Sequence, residues 1–266
     1  MNIGWVGLGI IGTEMVKRLL QAGFPVSVYA RGQGLEAVKA LGAIPRDDYR
    51  ELAAASDLFV VCVFKDAQVR EVLLDHDALA AMCPGSTVAI HTTGSPALAR
   101  ELTSAAPDNV AVLDATFSGG PHDIQAGALT IMVGGDALAL ERARPALATY
   151  ASHIHHLGGS GSGQIVKLLN NLLFATNLMN AANVLKLAGE QHFDTAQVAG
   201  IIGACSGSSY AMARFQSPAP SSDMLDRVRP YLEKDVATAV AAAAASGLDL
   251  APFAETARFF APSKQD

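Results

Sequence analysis

The run Gly7-Leu8-Gly9-Ile10-Ile11-Gly12 stands between a short apolar segment, Ile3-Gly4-Trp5-Val6, and an amphipathic stretch from Thr13 to Gln21. A glycine-rich turn that closes a strand and opens a helix admits few folds. In such a turn the first glycine makes the tight bend, the second lets the backbone approach a pyrophosphate, and the third lets helix meet strand. The motif therefore implies a βαβ unit that binds a dinucleotide along Gly7 to Gly12. A strand-to-helix turn without a ligand is the competing reading.

That frame also predicts where the adenosine ribose is read. The second strand, Val26-Tyr29, should end beside it, and an enzyme that uses NAD usually carries Asp or Glu there to bond the 2′-hydroxyl. This chain has Tyr29-Ala30-Arg31-Gly32 instead. A missing carboxylate and a guanidinium that can fork onto phosphate favour NADP over NAD, with Arg31 as the reader. A solvated surface arginine is the alternative.

Along the chain, short apolar runs alternate with helical stretches: Asn2-Val6, Val26-Tyr29, Leu58-Val63, Thr87-His91, Val110-Asp114 and Thr130-Val133 are the expected strands. That rhythm predicts a parallel sheet wrapped by helices. Beyond the break at Leu157-Gly-Gly-Ser-Gly-Ser-Gly163, which reads as a hinge and helix start, the periodicity is helical through Leu187. It stays helical over Thr195-Ile202, Ser208-Phe215, Arg229-Ser246 and Ala251-Phe260, and Ala241-Ala245 is expected to pack closely against a neighbour. The expected fold class is α/β, a Rossmann-type doubly wound sheet followed by an all-helical C-terminal domain. The expected domains are residues 1–160 for the dinucleotide and 161–266 for substrate and dimerisation.

Composition sets the outer bounds. The chain has 266 residues, of which 50% are hydrophobic and 17% charged, enough for a substantial core. A net charge of -6 without a basic cluster argues against nucleic acid as a partner. No basic leader with a cleavage site opens the chain, and the greasiest stretches are broken by Asn177, Asn180 and Asn183, so neither secretion nor a membrane span is expected. Cys62, Cys83 and Cys205 stand far apart, which fits a reducing compartment, the cytoplasm by default. The long apolar helix and the alanine-rich helix point to a homodimer or higher homo-oligomer.

The chemistry gathers at Gly161-Ser-Gly-Gln-Ile-Val-Lys167-Leu-Leu-Asn170-Asn171, where a spacing of four puts an ammonium and an amide on one helix face. Such a face can grip and protonate an oxygen. Joined to a nicotinamide site it suggests a dehydrogenase. Two further runs lie between these motifs, Asp114-Ala-Thr-Phe-Ser118-Gly119-Gly120 and Gly127-Ala-Leu-Thr-Ile-Met-Val-Gly134-Gly135. With them the chain resembles the β-hydroxyacid dehydrogenase family over most of its length. The resemblance implies Lys167 as the catalytic acid/base, and Asn171 with Ser118, Gly119 and Gly120 as the holders of the substrate carboxylate and hydroxyl. It implies Thr93 at the nicotinamide side, Val63 and Phe64 passing the adenosine ribose, and Lys234 of Lys234-Asp235 reaching the cofactor. The implied reaction is hydride transfer between NAD(P) and a small 3-hydroxy acid, semialdehyde or 2-oxo acid. A closed cleft and a cationic nicotinamide are expected to lower the pKa of the lysine.

Duller readings stand beside each of these. Lys167 could face solvent, Ser118 with its glycines could be a plain turn, and Lys234-Asp235 a solvated pair. Asn170 and Asn171 are not both expected to face one site, and the spacing selects Asn171. His153, His155 and His156 resemble a metal cluster, but alternation on an extended segment leaves only two on one face, so no metal is expected. No nucleophile elbow supports a hydrolase. Phe64, Ala30, Ile90 and Pro121-His122 depart from the family's usual pattern, and the chain stops at Asp266, short of the usual length. These departures are expected to reshape the substrate pocket. Two alternatives remain: an imine reductase-like NADPH enzyme, against which Lys167 argues, and a non-catalytic NADP-binding interaction protein.

Overall fold

The structure is a computed structural model that describes residues 1–30, 33–216 and 221–261. It divides into two compact units, Met1–Lys167 and Leu168–Asp266.

The first unit holds an eight-stranded sheet: β1 (Ile3–Val6), β2 (Val26–Tyr29), β3 (Ile44–Pro45), β4 (Leu58–Val61), β5 (Thr87–Ile90), β6 (Ala111–Ser118), β7 (Leu129–Gly134) and β8 (Ala151–His156). Their order is β3-β2-β1-β4-β5-β6-β7-β8. Chain order reverses between β1 and β4, and at such a switch point ligands bind beyond the carboxyl ends of the strands. The connecting helices are α1 (Ile10–Gln21), α2 (Gln33–Lys39), α3 (Tyr49–Ala54), α4 (Asp66–Arg70), α5 (Pro96–Ala105), α6 (Pro121–Gln125) and α7 (Ala137–Leu147). After α4 the chain winds on as a π-helix over Glu71–Asp75.

Alternation along the strands divides the core between the two faces of the sheet. Ile3, Trp5, Val28, Val60, Leu113 and Ile131 pack with Met15, Leu19, Leu140 and Leu147 of α1 and α7. Val6, Phe59, Val61, Val88 and Ile90 pack with Leu52, Val69, Leu98 and Leu102 of α3, α4 and α5. Both faces are therefore covered, as a parallel sheet requires.

The sheet departs from the all-parallel expectation at one place: β7 runs antiparallel to β6. The connection 119–128 holds only the short α6, whereas a parallel crossover needs about a dozen residues or more. Strand β6 also runs past its expected end to Ser118, because Asp114 to Ser118 pair with β7 after β5 has ended. The edge strand β3 carries no periodic signal, being an exposed Ile-Pro pair.

The second unit is helical. It contains most of α8 (Ser162–Glu190), then α9 (Thr195–Gly203), α10 (Tyr210–Ala213), α11 (Ser221–Ala245) and α12 (Ala254–Phe259). Leu178, Leu185, Ala199, Met212, Phe215, Leu232, Val236 and Phe260 form its core. Helix α11 begins ahead of the expected Arg229, at Ser221, and runs through Pro230, whose ring is exposed. The alanine run at its end packs less than expected, with Ala243 buried and Ala241, Ala244 and Ala245 exposed. Among the described residues no helix is long and apolar enough to cross a membrane.

A polar pair lies inside the first core. The His91 ring bonds the Ala115 carbonyl through Nδ1 at 2.5 Å and the Tyr150 hydroxyl through Nε2 at 2.9 Å. The carbonyl can only accept, so Nδ1 carries the proton and Nε2 accepts from the tyrosine. Burial pulls the imidazole down to about 4, only partly offset by the bond to Ala115. In the unfolded chain it titrates near 6.5, so between these values the unfolded state binds the extra proton. Stability is then expected to fall as pH drops from about 6.5 to 4, with His91 contributing a slope of up to about 1.4 kcal/mol per pH unit. Urea unfolding of the protein and of His91→Gln at pH 7, 5.5 and 4.5 checks this, the variant losing that part of the slope.

Candidate active site

The glycine loop has the shape a dinucleotide needs. Gly7 has φ +99°, and a Cβ there would lie 2.1 Å from the Cys62 carbonyl oxygen, so only glycine lets β1 turn against β4. A Cβ on Gly12 would lie 2.1 Å from the Gly7 carbonyl oxygen. Gly9 differs: a Cβ there meets nothing within 4 Å. It is the N-cap of α1, without a side-chain cap and with no acidic residue in the first turn. Free helix N–H groups beside open space form an anion site, which fits a pyrophosphate. Leu8 packs against the core beneath, Ile11 likewise, while Ile10 is exposed.

The loops after β4 and β5 are tied together. Val63 N–H donates to the Thr92 hydroxyl at 3.0 Å, and Phe64 and Lys65 N–H both donate to Gln68 Oε1. Phe64 is exposed. Ser95 N–H donates to Asp66 Oδ2 at 2.8 Å, which leaves no room for a side chain at Gly94. Thr93 thus sits on a braced loop. Cys62 packs against the core, and burial pushes its thiol up to about 12, which leaves it inert as a nucleophile.

At the far end of β6, Ser118 and Gly119 lead into α6. Gly119 has φ +126°. The Gly120 N–H donates to Asp123 Oδ2 at 2.7 Å, so this group already has an acceptor within the chain. The Ser118 hydroxyl and the Gly119 N–H are the parts of the triplet without such a commitment among the described residues, the Ser118 backbone being paired with Thr130.

Lys167 is half-buried and Leu168 buried, whereas Ile165, Val166 and Leu169 are exposed. One turn before the lysine, α8 starts on a buried carboxylate. Asp114 accepts from Gly161 N–H at 2.8 Å and Gln164 N–H at 2.9 Å. Burial pushes its carboxyl up, while these N–H groups pull it down.

In the second unit Asn171 is buried and donates to Asp235 Oδ2 at 2.5 Å. Asn170 Nδ2 donates to Asn171 Oδ1 at 2.9 Å, so the neighbouring asparagine orients it. Lys234 Nζ lies 2.8 Å from Asp235 Oδ1, an ion pair in which the aspartate is almost wholly buried. Asp235 therefore joins two of the anticipated residues. The pairing of Lys234 with Asp235 was anticipated in sequence, but the bond from Asn171 to Asp235 was not, and Asp123 and Gln164 likewise show their function only through what they touch. Asp114 stood within a quoted motif, but nothing in its spacing showed that it caps a helix 47 residues away.

Arg31 lies outside the described residues. Near the end of β2, the rings of Tyr29 and Tyr49 lie with centroids 3.9 Å apart, tilted by 33°. They line a cavity of about 310 Å³ together with Asp47, Asp48, Arg50, Asp75, His76 and Asp77. Asp48 caps α3 and Asp77 pairs with Arg50 at 3.0 Å. His153 and His155 stack on β8 with centroids 6.3 Å apart, and among the described residues no group of three or more His, Cys, Asp or Glu is arranged to hold a metal ion.

Residues 2–158 match the NAD binding domain of 6-phosphogluconate dehydrogenase, and residues 161–266 match the NAD-binding domain of NADP-dependent 3-hydroxyisobutyrate dehydrogenase. The chain belongs to the β-hydroxyacid dehydrogenase family. As such a dehydrogenase it is an NAD(P)-dependent oxidoreductase. It is similar to the NAD-dependent L-serine dehydrogenase of Pseudomonas aeruginosa, 34% identical over 214 residues that cover 79% of this chain and 72% of that protein. It is also similar to the 2-hydroxy-3-oxopropionate reductase of Escherichia coli, 32% identical over 203 residues that cover 74% of this chain and 68% of that one. Among solved structures, 3-hydroxyisobutyrate dehydrogenase of Mycobacterium tuberculosis with L-serine superposes with a TM-score of 0.85 at 28% identity, covering 97% of this chain and 92% of that chain.

For the β-hydroxyacid dehydrogenase described here, the loop geometry separates two glycines. Gly9→Ala is expected to change stability by no more than about 1 kcal/mol while weakening cofactor binding at least roughly tenfold, since the methyl enters the anion site. Gly12→Ala is expected to cost about 1 to 3 kcal/mol through its clash with Gly7. Thermal unfolding, paired with titration of reduced-nicotinamide fluorescence, checks both.

Proposed function

We propose that this dehydrogenase catalyses reversible hydride transfer between NAD(P) and a small 3-hydroxy acid, or the matching semialdehyde or 2-oxo acid, with Lys167 as general acid/base. The observation that carries the proposal is the uncapped N-terminus of α1 beside open space at Gly9, within the same compact unit as Lys167. A bound nicotinamide supplies a hydride acceptor or donor at the carbinol carbon. In reduction Lys167 gives its proton to the oxygen that becomes the hydroxyl; in oxidation the neutral amine removes the hydroxyl proton as the C–H bond breaks. Asn171, held by Asp235, and Ser118 with the Gly119 backbone hold the substrate's oxygens, while Gly120, its N–H taken by Asp123, shapes the turn that presents them. Thr93 lies at the nicotinamide, Val63 and Phe64 at the adenosine ribose, and Lys234 meets the cofactor. Residues 1–160 are proposed as the cofactor domain and 161–266 as the substrate and dimer domain, although the first turns of α8, through Lys167, pack with the former. The names of the relatives support a substrate of this class.

NADP is the proposed cofactor, with Arg31 forking onto the 2′-phosphate. A second reading, NAD, is favoured by the cavity beside Tyr29, where Asp47, Asp48, Asp75 and Asp77 would repel a phosphate. Those carboxylates are exposed and screened, which weakens their repulsion.

One assay tests both parts: turnover of 3-hydroxy acids and semialdehydes with NADP(H) and NAD(H) in parallel. Lys167→Ala is expected to lose roughly 100- to 10,000-fold in kcat while still binding cofactor, and Arg31→Ala to lose the NADP preference. Retained turnover in the first variant removes the lysine from the mechanism, and a wild-type preference for NAD removes Arg31 from recognition.

A homodimer is also proposed. Leu173, Val184, Leu187, Phe193, Ile201 and Val240 are exposed apolar side chains in the helical unit, and a second copy would cover them. Sedimentation equilibrium at micromolar concentration is expected to give twice the chain mass, and a monomer defeats the proposal. The three free cysteines, of which Cys83 and Cys205 are exposed, support a reducing compartment, proposed to be the cytoplasm.

A further inference from the structure

Helix α8 is tied to the sheet at its first turn. Besides the two N–H groups held by Asp114, the Thr116 hydroxyl donates to the Gly163 carbonyl at 3.0 Å. A Cβ on Gly163 would lie 2.4 Å from the Asp114 carbonyl oxygen and 2.5 Å from that of Met132, so the helix backbone rests directly on β6 and β7. The Gln164 side chain then reaches away from β6 to the loop after β5. Its Oε1 accepts from Gly94 N–H at 2.8 Å, and its Nε2 donates to the Thr92 carbonyl at 2.8 Å.

Gln164 is 2% exposed, and its amide is used in both directions. A carboxylate would keep the acceptor and lose the donor; an aliphatic side chain would lose both. Thr93 lies between the two backbone groups it holds. Residues 164 and 167 are three apart, neighbours on one helix face. The face that grips the Thr92–Gly94 loop is therefore also the face from which Lys167 leaves the helix. All of these groups belong to the unit that ends at Lys167.

We propose that Gln164, seated by Asp114, is a positioning residue for the reaction: it sets the register between Lys167 and the Thr93 loop. This rests on the acid/base reading of Lys167 given above. Proton transfer at the substrate oxygen and hydride transfer at the adjoining carbon must share one geometry, and a misplacement of about 1 Å can cost roughly 100-fold in rate. A lysine on a free helix end would hold no such register. Here the amide bridge and the buried carboxylate fix it before any ligand arrives.

The test uses the full chain with Gln164→Glu, Gln164→Leu and, as a reference, Lys167→Ala. Both Gln164 variants are expected to bind the reduced cofactor within about threefold of the parent, by fluorescence. Their kcat is expected to fall roughly tenfold for Glu and a hundredfold for Leu, with a larger solvent deuterium effect because proton transfer becomes more limiting. Hydrogen exchange read by mass spectrometry should show lost protection over residues 92–94 in Gln164→Leu and retained protection in Gln164→Glu, which keeps the acceptor for Gly94. Where Gln164→Leu fails to fold, the Glu variant decides through kcat and the isotope effect.

Unchanged kcat in both Gln164 variants, with Lys167→Ala inactive, overturns the positioning role alone. A fall in kcat that merely follows weakened cofactor binding overturns it too. Full turnover in Lys167→Ala overturns the lysine reading and the positioning proposal with it, whatever the exchange data show about the loop.

Discussion

A single buried carboxylate links the sheet to the helix that carries the proposed chemistry. Asp114 is fully enclosed, and its two oxygens take backbone N–H groups from the first turn of α8. An unpartnered charge in that place would cost several kcal/mol, so strand and helix start are obligatory partners. The opposite arrangement holds at α1, where the N-cap is Gly9, which has no side chain to cap the helix, and the first turn carries no acidic residue. One helix start is filled from within the chain, and the other is left open for a ligand. The same physics of unsatisfied N–H groups thus serves structure in one place and binding in the other.

The sheet topology makes this division workable. The reversal of chain order between β1 and β4 opens the crevice at Gly7 to Gly12, and β6, extended past its neighbour β5, carries Ser118 beyond the part paired with β5 while it still pairs with β7. Hydrogen bonds then join the loops to one another: Val63 to Thr92, Thr92 and Gly94 to Gln164, Ser95 to Asp66. Loops that carry function are usually mobile, and here they are tied crosswise, through the buried Gln164 amide and through part-buried bonds at Val63 and Ser95.

Much of this was legible in the residues alone. Strands with strong apolar runs, such as Val26–Tyr29 and Leu58–Val61, announce themselves, as does α8 by its length. The glycine motif could be read because each glycine has a separate steric duty. The antiparallel turn into β7 was hidden, since direction depends on the length and path of a connection rather than on periodicity. The start of α11 ahead of Arg229 was hidden as well, and the helix continues through Pro230 because a helix can lose one N–H bond and go on. The family resemblance supplied candidate site residues, Lys167, Asn171 and Ser118 among them. It could not supply their partners, because Gln164 to Thr92 or Asn171 to Asp235 are contacts across 72 and 64 positions of sequence. Spacing rules work within one element and say nothing about what meets it from elsewhere.

The π-helical run at Glu71–Asp75 has a consequence for the rim of the molecule near Tyr29. A π turn holds roughly one residue more than an α turn, and one residue corresponds to about 100° of rotation around a helix. His76, which donates its backbone N–H to the Glu71 carbonyl, closes that wide turn and places its ring 5.1 Å from Tyr49. The same side chains on an ordinary α-helix would face about a quarter-turn away from Tyr49. The acidic rim formed by Asp75 and Asp77 is thus a product of backbone winding, and losing one residue from that turn would redraw it without altering any of the side chains that line it.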